Sequence, residues 1–84
     1  MSNGGFVGNI CASKCGHDRG SLYVISKIVD DKFVLVVNGE NRPLKTPKRK
    51  NIAHLSVTNH RTAATSDLEI KRAIVKYRSK GGEV

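Results

Sequence analysis

A run of five apolar residues, Phe33 to Val37, constrains the fold of this chain more than any other feature. Asp30-Asp31 precedes the run and Asn38-Gly39 follows it. An unbroken apolar run of this length is typical of a strand that is buried on both faces. Asn-Gly favours a type I′ hairpin turn, because both central positions of that turn require a positive φ. The pattern predicts a central strand between two tight reversals.

Other short segments extend this β pattern through the first two thirds of the chain. They are Phe6 to Cys11, Leu22 to Val29, Asn41 to Leu44 and Ile52 to Leu55. Alternation in the second segment predicts that the face carrying Leu22 and Val24 looks inward. Between the first two segments, the glycine-flanked stretch 16–20 predicts a structured turn. Short strands broken by turn residues are typical of a small antiparallel barrel.

Length and composition limit the remaining possibilities. A chain of 84 residues has room for one domain, and 38% apolar residues without tryptophan predict a core of Val, Ile and Leu. The longest apolar run is far shorter than the roughly 20 residues that a membrane-spanning helix needs. The first five residues have neither the basic nor the apolar region of a secretion signal. We therefore expect a cytoplasmic protein without a membrane segment.

The last part of the chain changes to helical periodicity. Residues 57–65 are polar and are predicted as a linker, and Ser66 and Glu69 have the spacing of a helix capping box. An apolar stripe at helical spacing consists of Ile70, Ala73, Ile74 and Tyr77. We expect an amphipathic helix over 66–80 that Gly81-Gly82 ends, followed by a tail over 81–84. The stripe either docks on the barrel, pairs with a second copy or binds a protein partner.

Positive charge dominates the surface chemistry. Fifteen Lys and Arg against seven Asp and Glu give a net charge of +8, which favours a polyanionic partner. Five cations fall within residues 42–50 without an acid among them: Arg42, Lys45, Lys48, Arg49 and Lys50. Pro43 and Pro47 restrict this segment to loop or edge positions. A solvated face and a membrane-surface patch are alternatives, but the segment has only Leu44 as a bulky apolar residue, so nucleic acid fits better. RNA is preferred to DNA because the chain has no helix-turn-helix, basic-zipper or zinc-finger pattern.

Residues that would support catalysis or metal binding are not arranged for either. No nucleophile, base and orienting group form a recognisable set, so we expect no enzyme activity and no cofactor. Cys11, Cys15 and His17 lack the paired spacing of common zinc sites. On one extended strand the two cysteines would be too far apart for a disulfide. We expect free thiols and no metal.

Several motifs resemble those of a known family. They are Gly16-x-Asp18-x-Gly20, Asn38-Gly39, Arg42, Pro47-Lys48-Arg49-Lys50-Asn51 and His54-Leu55. Together they look like the short bacterial KOW-domain RNA-binding proteins, which are similar to the KOW-bearing, L14e-type large-subunit ribosomal protein of archaea and eukaryotes. The resemblance covers about 50 of the 84 residues. It implies a mostly β fold, a five-stranded SH3-like barrel of the translation-protein type over 6–56. The C-terminal helix lies outside the match, and we expect the stretch over 1–5 to be flexible.

The resemblance also implies a function and a site. The protein would be a non-enzymatic binder of ribosomal or other structured RNA in translation or ribosome assembly, with RNA and ribosomal proteins as partners. The implied RNA-binding residues are Lys14, His17, Arg19, Arg42, Lys45, Lys48, Arg49, Lys50 and His54. The implied loop-shaping residues are Gly16, Asp18 and Gly20. Cys15 and His17 depart from the family pattern, and His54 is equally explained as a half-buried strand residue. The rival hypothesis is a protein-interaction module that binds an acidic protein through the barrel or the helix.

Overall fold

The computed structural model describes residues 7–79, in which five antiparallel strands are followed by one helix. The elements are β1 (Asn9–Ser13), β2 (Leu22–Ile28), β3 (Phe33–Val37), β4 (Lys48–Asn51), β5 (Leu55–Arg61) and α1 (Asp67–Ser79). The strand order is β4-β3-β2-β1-β5, and a single 3₁₀ turn, Ile52–His54, joins the two edge strands. This arrangement confirms the mostly β, barrel-like fold with a C-terminal helix.

Two apolar clusters hold the fold together, one on each face of the curved sheet. The barrel interior contains Cys11, Tyr23, Ile25, Val34, Val36 and Leu55. The outer cluster contains Ile10, Val24 and Val37 from the sheet with Ile70, Ile74 and Tyr77 from α1. The apolar stripe of the helix is therefore docked on the barrel. The face of β2 that carries Leu22 and Val24 was predicted to look into the barrel, and this was wrong: that face lies under α1, and Tyr23 and Ile25 from the opposite face fill the interior.

The apolar run Phe33 to Val37 forms β3 as predicted, but it is not the central strand. The centre of the sheet is β2, which pairs with both β1 and β3. β3 is apolar because Val34 and Val36 face the interior while Val37 lies under α1. Burial on both faces thus reflects the docked helix and not the position in the sheet.

The connection after β3 differs from the predicted hairpin. Gly39 has a φ of 79°, and every residue with a positive φ among residues 7–79 is a glycine. Asn38 therefore does not have the positive φ that a central position of a type I′ turn requires. Instead, the Asn38 side-chain oxygen accepts hydrogen bonds from the backbone N–H groups of Glu40 and Arg42, at 2.9 and 3.0 Å. These bonds build a wider loop, and the strand predicted over Asn41 to Leu44 does not form.

Much of the predicted linker over 57–65 is strand. β5 begins at Leu55, and the strand-like pattern predicted from Ile52 is the 3₁₀ turn instead. β5 pairs only with β1, and most of its side chains are exposed or half-buried. An edge strand of this kind needs main-chain partners but few apolar side chains, which explains why its polar composition resembled a linker.

The start of α1 follows the predicted capping pattern with one difference. The Ser66 hydroxyl accepts a hydrogen bond from the Glu69 N–H at 3.2 Å, while the Glu69 carboxylate accepts mainly from Thr65, whose N–H lies 2.9 Å away. No helix within residues 7–79 is long and apolar enough to cross a membrane. The expectations for residues 1–6 and for the helix end at Lys80, Gly81-Gly82 and the tail lie outside the described residues.

Candidate nucleic-acid interface

Asp18 joins the glycine-flanked loop to strand β4. One carboxylate oxygen accepts hydrogen bonds from the Ser13 hydroxyl and the Lys50 ammonium, at 2.9 and 3.1 Å. The other accepts from the Tyr23 hydroxyl and the Lys48 ammonium, at 2.8 and 3.1 Å. We call these five residues the Asp18 anchor. Sequence reasoning gave Asp18 a role in shaping the loop, but its side chain connects the two segments that were predicted to bind RNA.

The protonation behaviour of the anchor follows from its contacts. Burial by itself would raise the pKa of Asp18, but the bonds from Tyr23, Ser13, Lys48 and Lys50 hold that pKa well below its ordinary value. Burial, together with the hydrogen bond to Asp18 and its negative charge, raises the pKa of Tyr23 to about 12. At neutral pH the carboxylate is therefore charged and the tyrosine keeps the proton that it donates.

Strand register separates the three consecutive cations of β4. Lys48 lies opposite Val36 and Lys50 opposite Val34, so both point to the interior side of the sheet, where the Asp18 anchor lies. Arg49 points to the other side, and its guanidinium stacks 4.1 Å from the centre of the Phe33 ring. The Lys50 side chain is only 11% exposed, compared with 34% for Lys48. Lys50 therefore acts mainly within the protein, while Lys48 and Arg49 retain access to solvent.

The remaining predicted cations are distributed around the same end of the barrel. Lys14, His17 and Arg19 are exposed on the loop, and the Lys14 N–H donates to the His54 carbonyl at 2.9 Å. His54 is exposed on the 3₁₀ turn, so it is not the half-buried strand residue of the alternative interpretation.

Two further predicted cations lie between β3 and β4. The half-buried Arg42 lies close enough to Tyr23 for its positive charge to oppose the rise in the pKa of that tyrosine. Lys45 is exposed in the turn over 43–46, which the bond from the Leu44 N–H to the Asp67 carboxylate fixes to the start of α1. The structure thus brings the loop, His54 and β4 together, with Arg42 beside them and Lys45 at the approach to β4.

The glycines of the loop have the backbone geometry predicted for them. Gly16 and Gly20 have φ values of 87° and 90°. The Gly20 N–H returns to the Ser13 carbonyl at 2.8 Å, which closes the loop at the end of β1. Positive φ at both ends allows this reversal, and it turns the intervening Asp18 towards β4.

Sequence reasoning missed three residues that shape this face: Ser13, Tyr23 and Phe33. Tyr23 was missed because strand alternation was interpreted with Leu22 and Val24 facing inward, which placed Tyr23 on the outer face. Ser13 and Phe33 carry no signal in the local sequence. Their roles depend on which residues of β4 lie beside them in the folded chain.

Charge is concentrated on this face. Residues 14–20 and 42–54 contain seven Lys and Arg and a single carboxylate, Asp18, a net of +6 out of the +8 of the whole chain. Cys11 is buried, which raises its pKa to about 12, and Cys15 is exposed; both are free thiols, as predicted. Within residues 7–79, no group of His, Cys, Asp and Glu is placed to hold a metal ion.

The fold and this face define the class of the protein as a small barrel-like β domain of SH3 type with a helix on one side and a cationic surface at one end. No family model matches the chain. Large ribosomal subunit protein eL14 of Saccharolobus solfataricus is 37% identical over 71 residues, which cover 81% of this chain and 74% of that protein. The eL14 protein of Hyperthermus butylicus is 32% identical over 71 residues, which cover 81% of this chain and 72% of that protein. The chain belongs to the eL14 family of large ribosomal subunit proteins.

Proposed function

We propose that this chain is a non-enzymatic RNA-binding protein that contacts ribosomal RNA through the surface formed by residues 14–20 and 42–54, which we call the basic face. Its relatives are named large ribosomal subunit proteins, and most of the net positive charge of the chain lies on this face. Phosphate groups of RNA are the partner that such a surface attracts, through the release of counterions.

The observation that carries the proposal is the Asp18 anchor. Asp18 is 30 residues from Lys48 and 32 from Lys50 in sequence, yet its carboxylate contacts both. One half-buried carboxylate therefore holds two cations of β4 in fixed positions beside the loop, which lowers the entropic cost of presenting this surface to a row of phosphates. Solubilising charge alone requires no such arrangement, because scattered lysines serve that purpose equally well.

The same arrangement determines which cations we expect to contact RNA directly. Lys14, Arg19 and Lys45 are exposed and form no ion pair with a carboxylate of residues 7–79. Lys48 and Arg49 keep access to solvent on opposite sides of β4, whereas the ammonium of Lys50 is occupied by Asp18 and Ser13. Phosphate contacts made by Lys14, Arg19 and Lys45 are therefore the most direct to test.

Within this proposal, the partners are ribosomal RNA and neighbouring ribosomal proteins, the process is translation or ribosome assembly, and the protein acts in the cytoplasm. That the chain is a bacterial member of the family is a further part of the proposal, since the relatives compared above are archaeal. The rival protein-interaction function has less support, because the helix stripe that would serve it is buried: Ile70, Ile74 and Tyr77 are 2, 5 and 7% exposed.

The test compares the affinity of the purified protein for fragmented bulk ribosomal RNA with its affinity for heparin. A variant with Lys14→Ala, Arg19→Ala and Lys45→Ala leaves the Asp18 anchor intact, and a control with Lys27→Ala, Lys71→Ala and Arg78→Ala removes the same charge elsewhere. We expect wild type and control to prefer ribosomal RNA and the first variant to lose that preference. Equal affinity of the wild type for the two polymers would overturn the proposal.

A further inference from the structure

A cleft outside the basic face lies between the end of β5 and α1. It has a volume of about 270 Å³ and is lined by residues that include His60, Arg61, Thr62, Lys76 and Tyr77. A shallower continuation of about 360 Å³ shares Thr62 and Lys76 and reaches Arg72 along the helix. None of these residues belongs to the basic face.

The register of β1 and β5 separates this cleft from the basic face. Ser13, which belongs to the Asp18 anchor, lies opposite Leu55 at one end of the strand pair, and Asn9 lies opposite Arg61 at the other end. Four residues of extended strand span about 13 Å. An RNA phosphate held by the loop is therefore not the one that would be held in the cleft.

Two cations of the cleft, Arg72 and Lys76, form no ion pair with a carboxylate of residues 7–79. They are one helical turn apart on α1. Their repulsion weakens an isolated helix slightly. The Glu69 carboxylate nearby is occupied by the Thr65 N–H and hydroxyl, at 2.9 and 3.2 Å. An anionic ligand would offset this repulsion.

An aromatic side chain lies beside these cations. The ring of His60 meets the ring of Tyr77 edge to face, with centroids 4.7 Å apart at 71°. Tyr77 is buried and supports His60, which remains exposed. An exposed ring held in one orientation next to cations is the arrangement on which an unpaired base stacks while its phosphate is neutralised.

We propose that this β5–α1 cleft is a second RNA-binding site, which takes a phosphodiester with an unpaired base. Arg72 and Lys76 contact the phosphates, and His60 stacks on the base. The inference rests on the proposed function and extends it, because a protein with two separate RNA sites holds together two segments of a folded RNA.

The test measures the affinity for fragmented ribosomal RNA across a salt series. The cleft variant carries Arg72→Ala and Lys76→Ala, and the matched control carries Lys27→Ala and Lys71→Ala, which removes the same charge outside both sites. Loss of two phosphate contacts should make the log–log salt slope of the cleft variant shallower by about 1.4 to 1.8, while the control stays near wild type. Ultraviolet cross-linking of the wild type should place a nucleotide adduct on the peptide that carries His60, and His60→Ala should remove it.

The two proposals fail in different ways. If the wild type prefers ribosomal RNA to heparin but the cleft variant matches its control and no adduct forms at His60, the second site is overturned and the basic face is not. In that case a protein ligand would be the remaining candidate occupant of the cleft. If the wild type shows no preference for ribosomal RNA, both proposals fail. Circular dichroism and thermal unfolding of the cleft variant check that α1 remains folded.

Discussion

The ammonium group of Lys50 lies 3.1 Å from the Asp18 carboxylate, although 32 residues separate the two in sequence. The same carboxylate binds Lys48, Ser13 and Tyr23, so the loop between β1 and β2 is fixed to edge strand β4. Charged side chains are rarely buried unless they are paired. The basic face is thus part of the folded structure and not a set of independent surface charges.

Asp18→Asn should destabilise the protein. The amide nitrogen of the new asparagine would face hydrogen-bond donors of the anchor. The lysine ammonium groups would also lose their counter-charge. Because the site is partly exposed, we expect a loss of about 2 kcal/mol in the free energy of unfolding, and a fall of about 8–16 °C in Tm. Asp31→Asn removes the same charge from an exposed turn and should change stability by less than about 0.5 kcal/mol. Similar Tm values for the two variants would contradict the role given to Asp18.

Acid should remove the contribution of Asp18 to stability. Its pKa is lowered in the folded protein, relative to an unfolded value of about 3.9. The contribution is therefore fully present above the unfolded pKa and declines as pH falls below it towards the folded pKa. In urea unfolding, the stability gap between wild type and Asp18→Asn should be constant above about pH 5 and narrow below about pH 4. A gap at pH 2 as wide as that at pH 7 would refute this assignment.

Because the helix is docked on the barrel, alanine substitutions at neighbouring residues of α1 should differ in their effect on stability. Ile74 is 5% exposed and Val75 is 53% exposed. Ile74→Ala should cost about 2–5 kcal/mol, because it leaves a cavity in the outer cluster. Val75→Ala should be neutral or slightly stabilising, since alanine has the higher helix propensity. Chemical denaturation of the two variants compares them, and equal stabilities would mean that the stripe does not pack on the sheet.

Two glycines with positive φ should respond differently to substitution. A Cβ at Gly39 would collide with the Asp67 carbonyl oxygen and lie 2.9 Å from the Lys71 nitrogen, whereas a Cβ at Gly20 would meet nothing within 4 Å. Gly20→Ala should cost only the backbone strain, about 1 kcal/mol. Gly39→Ala should cost at least about 1 kcal/mol more, because the loop must also move away from α1. Thermal unfolding of both variants measures the difference, and equal losses would contradict the close packing at Gly39.

Local patterns predicted most of the strands and the helix. Phe33 to Val37 and Leu22 to Val29 became β3 and β2, and Ser66 begins a helix whose apolar stripe is buried. The errors have a common cause. β5 is polar because it is an edge strand, and β3 is buried on both faces because α1, which is distant in sequence, covers one of them. Neither fact is visible within a window of a few residues.

The candidate site was predictable as a set of cations but not as a geometry. The charge run of residues 42–50 indicated a polyanion surface. Strand alternation then directs Lys48 and Lys50 towards Asp18 and Arg49 towards Phe33. That division depends on the register of β4 against β3, which the two prolines and the charges do not encode. Lys50, one of the cations predicted to contact RNA, is largely occupied within the protein by Asp18 and Ser13.

The salt dependence of binding to fragmented ribosomal RNA is the most direct test of the central claim that the basic face binds RNA phosphates. If five phosphates are neutralised, raising salt from 0.05 to 0.2 M should weaken wild-type binding by about two to three orders of magnitude. The Lys14→Ala, Arg19→Ala and Lys45→Ala variant should have a log–log slope shallower by about 2 to 3, while the matched Lys27→Ala, Lys71→Ala and Arg78→Ala control stays close to wild type. A flat wild-type response, or equal slopes for the variant and its control, would contradict the account.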